Sequence, residues 1–150
     1  MWTDNNYINK VISMIKPFIF LKGNCEEALK TYEKAFDGKI TNLTRYKDLV
    51  DTSPVPVTKD NEDKILVAEL TIGENSILLT DDLNSNLAGS NIALFVNLKT
   101  TKKAEKAWNI LKENGTITMD LAKSQFAKLD GWLVDQYGTS WNITVMDKMP

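Results

Sequence analysis

Few side chains in this sequence can do chemistry, and their scarcity narrows the options before any fold is considered. There is no histidine and one cysteine in 150 residues. The commonest transition-metal ligand and the usual neutral-pH general base are therefore missing, and neither a disulfide framework nor a Cys-pair zinc site can be built. Carboxylate chemistry remains. Glu69 sits in the apolar stretch 64–72, where partial desolvation is expected to raise its pKa and suit it to act as a general base. It is the one catalytic candidate; the alternative is a structural bridge to Lys16, Lys22 or Arg45. Cys25 falls at a helix N-terminus, which favours a thiolate. Glu26 and Glu27 oppose that and no histidine base exists, so a buried, inert residue is expected. Asp135 lies just before Gly138 and reads as turn chemistry. Phe18, Phe20, Phe95 and Trp132 could stack on an aromatic ligand, or could simply fill core.

The elements that position these residues follow from composition and period. At 43% hydrophobic and 25% charged, with a net charge of -2, the chain reads as one ordinary globular domain without a nucleic-acid-binding charge. No signal-peptide pattern and no run of spanning length is visible, so a cytoplasmic location with no membrane partner is expected. Residues 1–14 are a polar tail, and the domain runs over 15–150. A strand at 15–22 feeds an amphipathic helix at 25–37, with Asn24 and Glu27 as a capping box and Gly38 as its stop. Strands at 39–46, 64–72 and 76–81 follow, the last two joined by a hairpin turn, and the long 47–63 loop is placed to cover a pocket. The order then recurs: strand 91–98, a helix capped by Thr100 or Thr101 and stopped by Gly115, and strands 116–121, 125–134 and 140–146. Asn24 and Thr100 are 76 residues apart, and Gly38 and Gly115 are 77 apart. The chain is thus expected to hold two copies of strand, helix and three strands, module one at 15–82 and module two at 91–146.

Period-two reading assigns the faces. In 64–72, Leu66, Ala68, Leu70 and Ile72 suit the underside of a helix, while Ile65, Val67, Glu69 and Thr71 form a mixed face. In the last strand Trp141, Ile143 and Val145 oppose Asn142 and Thr144; in 91–98, Ile92, Leu94, Val96 and Leu98 oppose Asn91, Phe95 and Asn97. A mixed face is either half-solvated or the wall of a concave site. The concave reading collects Lys16, Phe18, Phe20, Val67, Glu69, Asn91, Phe95, Trp132 and Asn142 as pocket residues.

Pro17-Phe18-Ile19-Phe20, Gly23-Asn24-Cys25-Glu26-Glu27-Ala28, Ala68-Glu69-Leu70-x-Ile72-Gly73 and Asp135-Gln136-Tyr137-Gly138-x-Ser140-Trp141 together resemble the PhnB-like branch of the vicinal oxygen chelate superfamily, the glyoxalase, bleomycin-resistance and dioxygenase group. The resemblance spans residues 15 to 146. It implies an α+β fold of paired βαβββ modules forming a cup-shaped mixed sheet, with helices on its outer face, in a homodimer. It also implies metal-ligand positions at Lys16, Asn91 and Asn142, with a fourth near residues 78–80. An ammonium and two amides are poor ligands, so no metal and no other cofactor is expected. A methyltransferase label given to such chains finds no Gly-rich loop after a strand to hold its cofactor. The reading is a metal-independent protein that binds or sequesters an unknown small molecule. Its alternative is a lyase, isomerase or dioxygenase using Glu69 or a carboxylate-bound metal, and a third reading is an interaction domain with a vestigial cup.

Overall fold

The computed structural model describes residues 14–49, 56–84 and 91–148. The polar tail, except Met14, and the middle of the 47–63 loop lie outside them. Module one comprises β1 (Phe18–Leu21), α1 (Cys25–Phe36), β2 (Lys39–Arg45), β3 (Ile65–Ile72) and β4 (Asn75–Asp81). Module two repeats the order with β5 (Leu94–Asn97), α2 (Thr101–Leu111), β6 (Thr116–Ala122), β7 (Leu129–Val134) and β8 (Ser140–Val145). The mixed sheet is divided into two four-stranded leaves, ordered β1-β4-β3-β2 and β5-β8-β7-β6. In each leaf the first strand runs parallel to the last and the remaining neighbours are antiparallel. The expected α+β fold of two βαβββ modules is therefore present.

The two helices pack on each other between the inner faces of the leaves. Ala28, Leu29, Tyr32, Ala35 and Phe36 of α1 and Ala104, Ala107, Trp108 and Leu111 of α2 are buried at the helical spacing of the sequence. They meet Ala68, Leu70 and Leu79 from one leaf and Leu133, Trp141, Ile143 and Val145 from the other in one continuous core. The module boundary runs through this core. The rings of Tyr32 and Phe36 lie 5.2 and 5.0 Å from that of Trp141, within the range of favourable aromatic pairs. Asp135 completes the junction. Its buried carboxylate accepts hydrogen bonds from the Tyr32 hydroxyl at 2.7 Å and the Trp141 indole N–H at 2.8 Å, and from the amides of Tyr137 and Thr139 at 2.9 and 3.0 Å.

Several local expectations are corrected. Asn24 makes no side-chain cap. Asp81, at the end of β4, supplies the acceptor instead, taking the amides of Gly23 and Cys25 at 2.8 and 3.0 Å and that of Ile65 at 3.1 Å. Glu27 accepts from the Tyr137 hydroxyl at 2.9 Å rather than closing a capping box. Thr100 does cap α2, accepting from the Lys103 amide at 3.1 Å. The left-handed residue after each helix is Asp37 or Asn114 (φ 51° and 57°) rather than the glycine that follows. Gly115 is needed for close approach, since a Cβ there would lie 2.6 Å from the Val134 carbonyl oxygen.

The face assignment of β3 also changes at one end. Thr44 pairs with Val67 and Arg45 with Ile65, so Leu66 is an extra residue in a bulge. Ile65, not Leu66, joins Ala68 and Leu70 in the core. Ile92 precedes β5 and is exposed. Strand β7 starts at Leu129 rather than 125 because the Ser124 hydroxyl accepts the amides of Phe126 and Ala127 and closes a turn.

Two substitutions test this account. Asp135→Ala strips the acceptor from four buried or part-buried donors, and an expected loss of about 3 to 5 kcal/mol should appear in urea unfolding. Gly131→Ala places a Cβ 2.8 Å from the Trp108 ring and 2.9 Å from the Leu121 Cα. An expected loss of about 1 to 3 kcal/mol checks that overpacking.

Candidate functional site

The outer face of the first leaf is assembled by strand register. Phe18 stands opposite Leu78, Leu78 opposite Glu69 and Glu69 opposite Asn42, with Phe20 beside Thr80. Lys16, Phe18 and Phe20 alternate along one edge. The Lys16 ammonium meets Glu69 Oε2 at 2.5 Å. Thr41 donates to Glu69 Oε1 at 3.0 Å and Ser76 to Oε2 at 3.1 Å, while the hydroxyls of Thr41 and Thr71 are 3.0 Å apart. Beside this polar cluster the half-exposed rings of Phe18 and Phe20 lie 5.1 Å apart and tilted by 38°. Val67 occupies the same face one step further along β3. Lys16, Phe18, Phe20, Val67 and Glu69 are thus brought together.

The second leaf repeats the register with different chemistry. Phe95 stands opposite Asn142, Asn142 opposite Trp132 and Trp132 opposite Met119. Phe95, Trp132 and Met119 are half-exposed. Asn142 is buried, and its amide donates to Asp130 Oδ1 at 2.7 Å and the Gly131 carbonyl at 3.0 Å. Asn91 is exposed and lies before β5, outside this row. Phe18–Leu78–Glu69 and Phe95–Asn142–Trp132 are equivalent positions of the two modules, a correspondence that places Leu78 at the fourth ligand position of the resemblance.

The two rows do not meet within one chain. Each leaf turns its inner face to the helices, and the helices pack on each other. The outer faces therefore look away from a common core. A shallow depression lined by Asn109, Lys112, Glu113, Gly115 and Ile117 contains none of the sequence-selected residues.

The electrostatics reverse the expected tuning of Glu69. Its pKa is lowered, first by the hydrogen bond from Lys16 and further by Thr41 and Ser76, against a smaller upward effect of burial. It is an ionised, well-solvated-by-donors carboxylate rather than a base poised near neutrality. Arg45 is not its partner: the guanidinium pairs with Glu26 at 2.9 and 3.2 Å. Burial, then the charges of Asp81 and Glu26, push the Cys25 thiol up to about 12, in keeping with an inert residue. Thr71 lies on the mixed face that alternation predicts, whereas nothing in the sequence points to Thr41 or Ser76 as partners of Glu69. Thr41 reaches this face through a β2 bulge between Ile40 and Asn42, which side-chain alternation cannot show.

The donor set does not fit a metal. Lys16 is engaged by Glu69, Asn142 is spent on Asp130 and Gly131, Leu78 is apolar, and Asn91 is apart. Among the described residues, no three His, Cys, Asp or Glu side chains gather to hold an ion.

Residues 13–144 match the family model described as 3-demethylubiquinone-9 3-methyltransferase. The crystal structure of protein PA1353 from Pseudomonas aeruginosa is 25% identical, covering 89% of this chain and 98% of that one, with a TM-score of 0.78. The PhnB protein from Bacillus cereus is 28% identical, covering 89% and 99%, with a TM-score of 0.73. A glyoxylase/bleomycin resistance protein/dioxygenase domain from Frankia shares the fold at 11% identity and a TM-score of 0.60, covering 91% and 99%. A methyl-donor cofactor, which a methyltransferase would require, finds no cradle at the β1–α1 connection. That connection has one glycine, and the amides of Gly23 and Cys25 are already bound by Asp81.

Glu69→Gln separates the ion pair from the rest of the site. A carboxylate with a depressed folded pKa stabilises the fold above its ordinary value of 4.5 and loses that contribution as pH falls through the folded value. The variant is expected to be less stable by about 1 kcal/mol at pH 7. The two proteins should converge as acidification protonates Glu69 in the folded state, below its ordinary value, in denaturant titrations run across pH.

Proposed function

We propose that this chain, which belongs to the PhnB-like 3-demethylubiquinone-9 3-methyltransferase family, is a metal-independent protein that binds or sequesters a small organic molecule in the cytoplasm. The observation that carries this reading is the pairing of exposed aromatic surface with fixed polar anchors on one sheet face. Phe18 and Phe20 stand bare beside the Lys16–Glu69–Thr41–Ser76 network. Apolar walls with a few oriented polar groups are the usual make-up of a small-molecule site. Lone exposed rings are ordinary on protein surfaces, but clusters of them mark interaction surfaces.

A homodimer is part of the same proposal. Each chain carries two outward faces of complementary make-up, and a second copy laid against them would convert two open half-sites into a closed one. Such closure would also cover Phe18, Phe20, Phe95, Trp132 and Met119, a burial that favours association. An enzyme using Glu69 for proton transfer has less support, since Lys16 keeps that carboxylate ionised and engaged.

Native mass spectrometry of protein purified without chelator tests both parts. The expected species has twice the 16.9 kDa chain mass and carries a nonmetal adduct. A stoichiometric divalent metal, or a bare monomer unresponsive to any aromatic ligand, would overturn the reading. Trp132 gives a second readout in a Trp2→Phe background, because among the three tryptophans of the described residues it is half-exposed while Trp108 and Trp141 are buried. An aromatic ligand is expected to quench its emission, and Trp132→Phe should abolish the response.

A further inference from the structure

We propose that Lys16 is the anchor for an anionic oxygen of the bound molecule, so that the ligand is an organic anion with an aromatic or otherwise apolar body. This inference rests on the binding function proposed above and specifies its ligand. Spare hydrogen-bonding capacity on this face singles out the lysine. Glu69 is close to saturated, with Lys16 and Ser76 on one oxygen and Thr41 on the other. An ammonium carries three donors, and among the described residues that of Lys16 has Glu69 as its one partner. Its side chain keeps 29% of its exposure, which leaves the remaining donors within reach of solvent or ligand. The group with unmet capacity on this face is therefore a cation, and what it lacks is an acceptor.

The placement of the cation fits a molecule with a charged head and an apolar body. The Pro17 carbonyl accepts from the Leu78 amide at 2.9 Å, so the chain stays extended along β4 ahead of β1. Lys16, Phe18 and Phe20 thus form a straight row, the two rings about 7 and 13 Å from the lysine along the strand. A carboxylate, sulfonate or phosphonate on Lys16 would lay a ring system over Phe18 and Phe20. The surrounding charge agrees. Lys39, opposite Thr71 on the same face, adds a second cation, and Glu69 is the face's one acidic strand residue. The patch is locally positive on a chain of net charge -2, which favours anions from a distance as well as in contact. Glu69 on this account is a positioning residue that holds the ammonium over the sheet and tempers its charge.

Two fluorescent probes test the inference on the intact protein: anilinonaphthalene sulfonate, and phenylnaphthylamine, which has the same ring system without the anion. The wild type is expected to bind the sulfonate about tenfold more tightly than the neutral probe, the advantage of one charge-assisted hydrogen bond. Lys16→Met should erase that preference, so that the two probes bind alike, and Lys16→Arg should keep it. Glu69→Gln, by removing the neighbouring negative charge, should raise affinity for the sulfonate alone. Equal affinity for the two probes in the wild type, or a preference that survives Lys16→Met, overturns the anchor while leaving the binding function intact. Failure of both probes to bind, with a bare protein in native mass spectrometry, overturns the binding function itself.

Discussion

The carboxylate of Asp135 is the point through which the two halves of this molecule hold each other. It comes from the turn before β8 and is only 5% exposed. An unpaired charge so deeply buried would be prohibitively costly. Here it is met by two backbone amides, which fix the turn, and by Tyr32 and Trp141, which belong to different modules. The same four donors that satisfy the charge therefore set the position of α1 on the second leaf. Asp81 does the corresponding work within module one, where it ties the start of α1 to the ends of β3 and β4. Both aspartates close tertiary contacts by accepting from backbone amides, local ones for Asp135 and distant ones for Asp81, so the helices can sit centrally without orphaned polar groups.

Placing the helices centrally decides what the sheets do. A four-stranded leaf covered on one face by helices has one face left over, and in this chain both left-over faces carry half-exposed aromatic side chains, joined on the first leaf by a cluster of hydroxyls. Their pleats carry matching positions: Phe18, Leu78 and Glu69 in one, Phe95, Asn142 and Trp132 in the other. Duplication of the module preserved the geometry while the chemistry diverged. One face gained an ion pair with an available cation, and the other a buried amide beneath exposed rings.

The Lys16–Glu69 pair shows how context overrides a residue's ordinary reading. A carboxylate among apolar strand neighbours invites the expectation of a raised pKa. Three donors converging on it produce the opposite shift, because a hydrogen bond to the charged form outweighs partial desolvation. The result suits recognition better than proton transfer, since a fixed ion pair orients a ligand while a general base must give up its charge.

The element order, the repeat of the module and most of the core are legible in the residues alone. Those follow from short-range facts: the apolar stripes of α1 and α2, the alternation along β8, and the glycines Gly38 and Gly115 that follow each helix. The sequence also carried the absence of histidine, which closed off most metal and acid–base chemistry. Tertiary structure alone decided the rest. The bulges at Thr41 and Leu66 shift strand register by one residue, and no local pattern marks them; yet they bring Thr41 to Glu69 and send Ile65 rather than Leu66 into the core. The cap of α1 comes from Asp81, 56 residues away from Cys25, where proximity in sequence pointed to Asn24. Whether the nine selected residues share one site depended on which way each leaf faces, and that is set by the packing of α1 against α2 and Trp141. Such packing joins residues more than a hundred positions apart, as Tyr32 and Asp135 are, through contacts that exist only once both modules have folded.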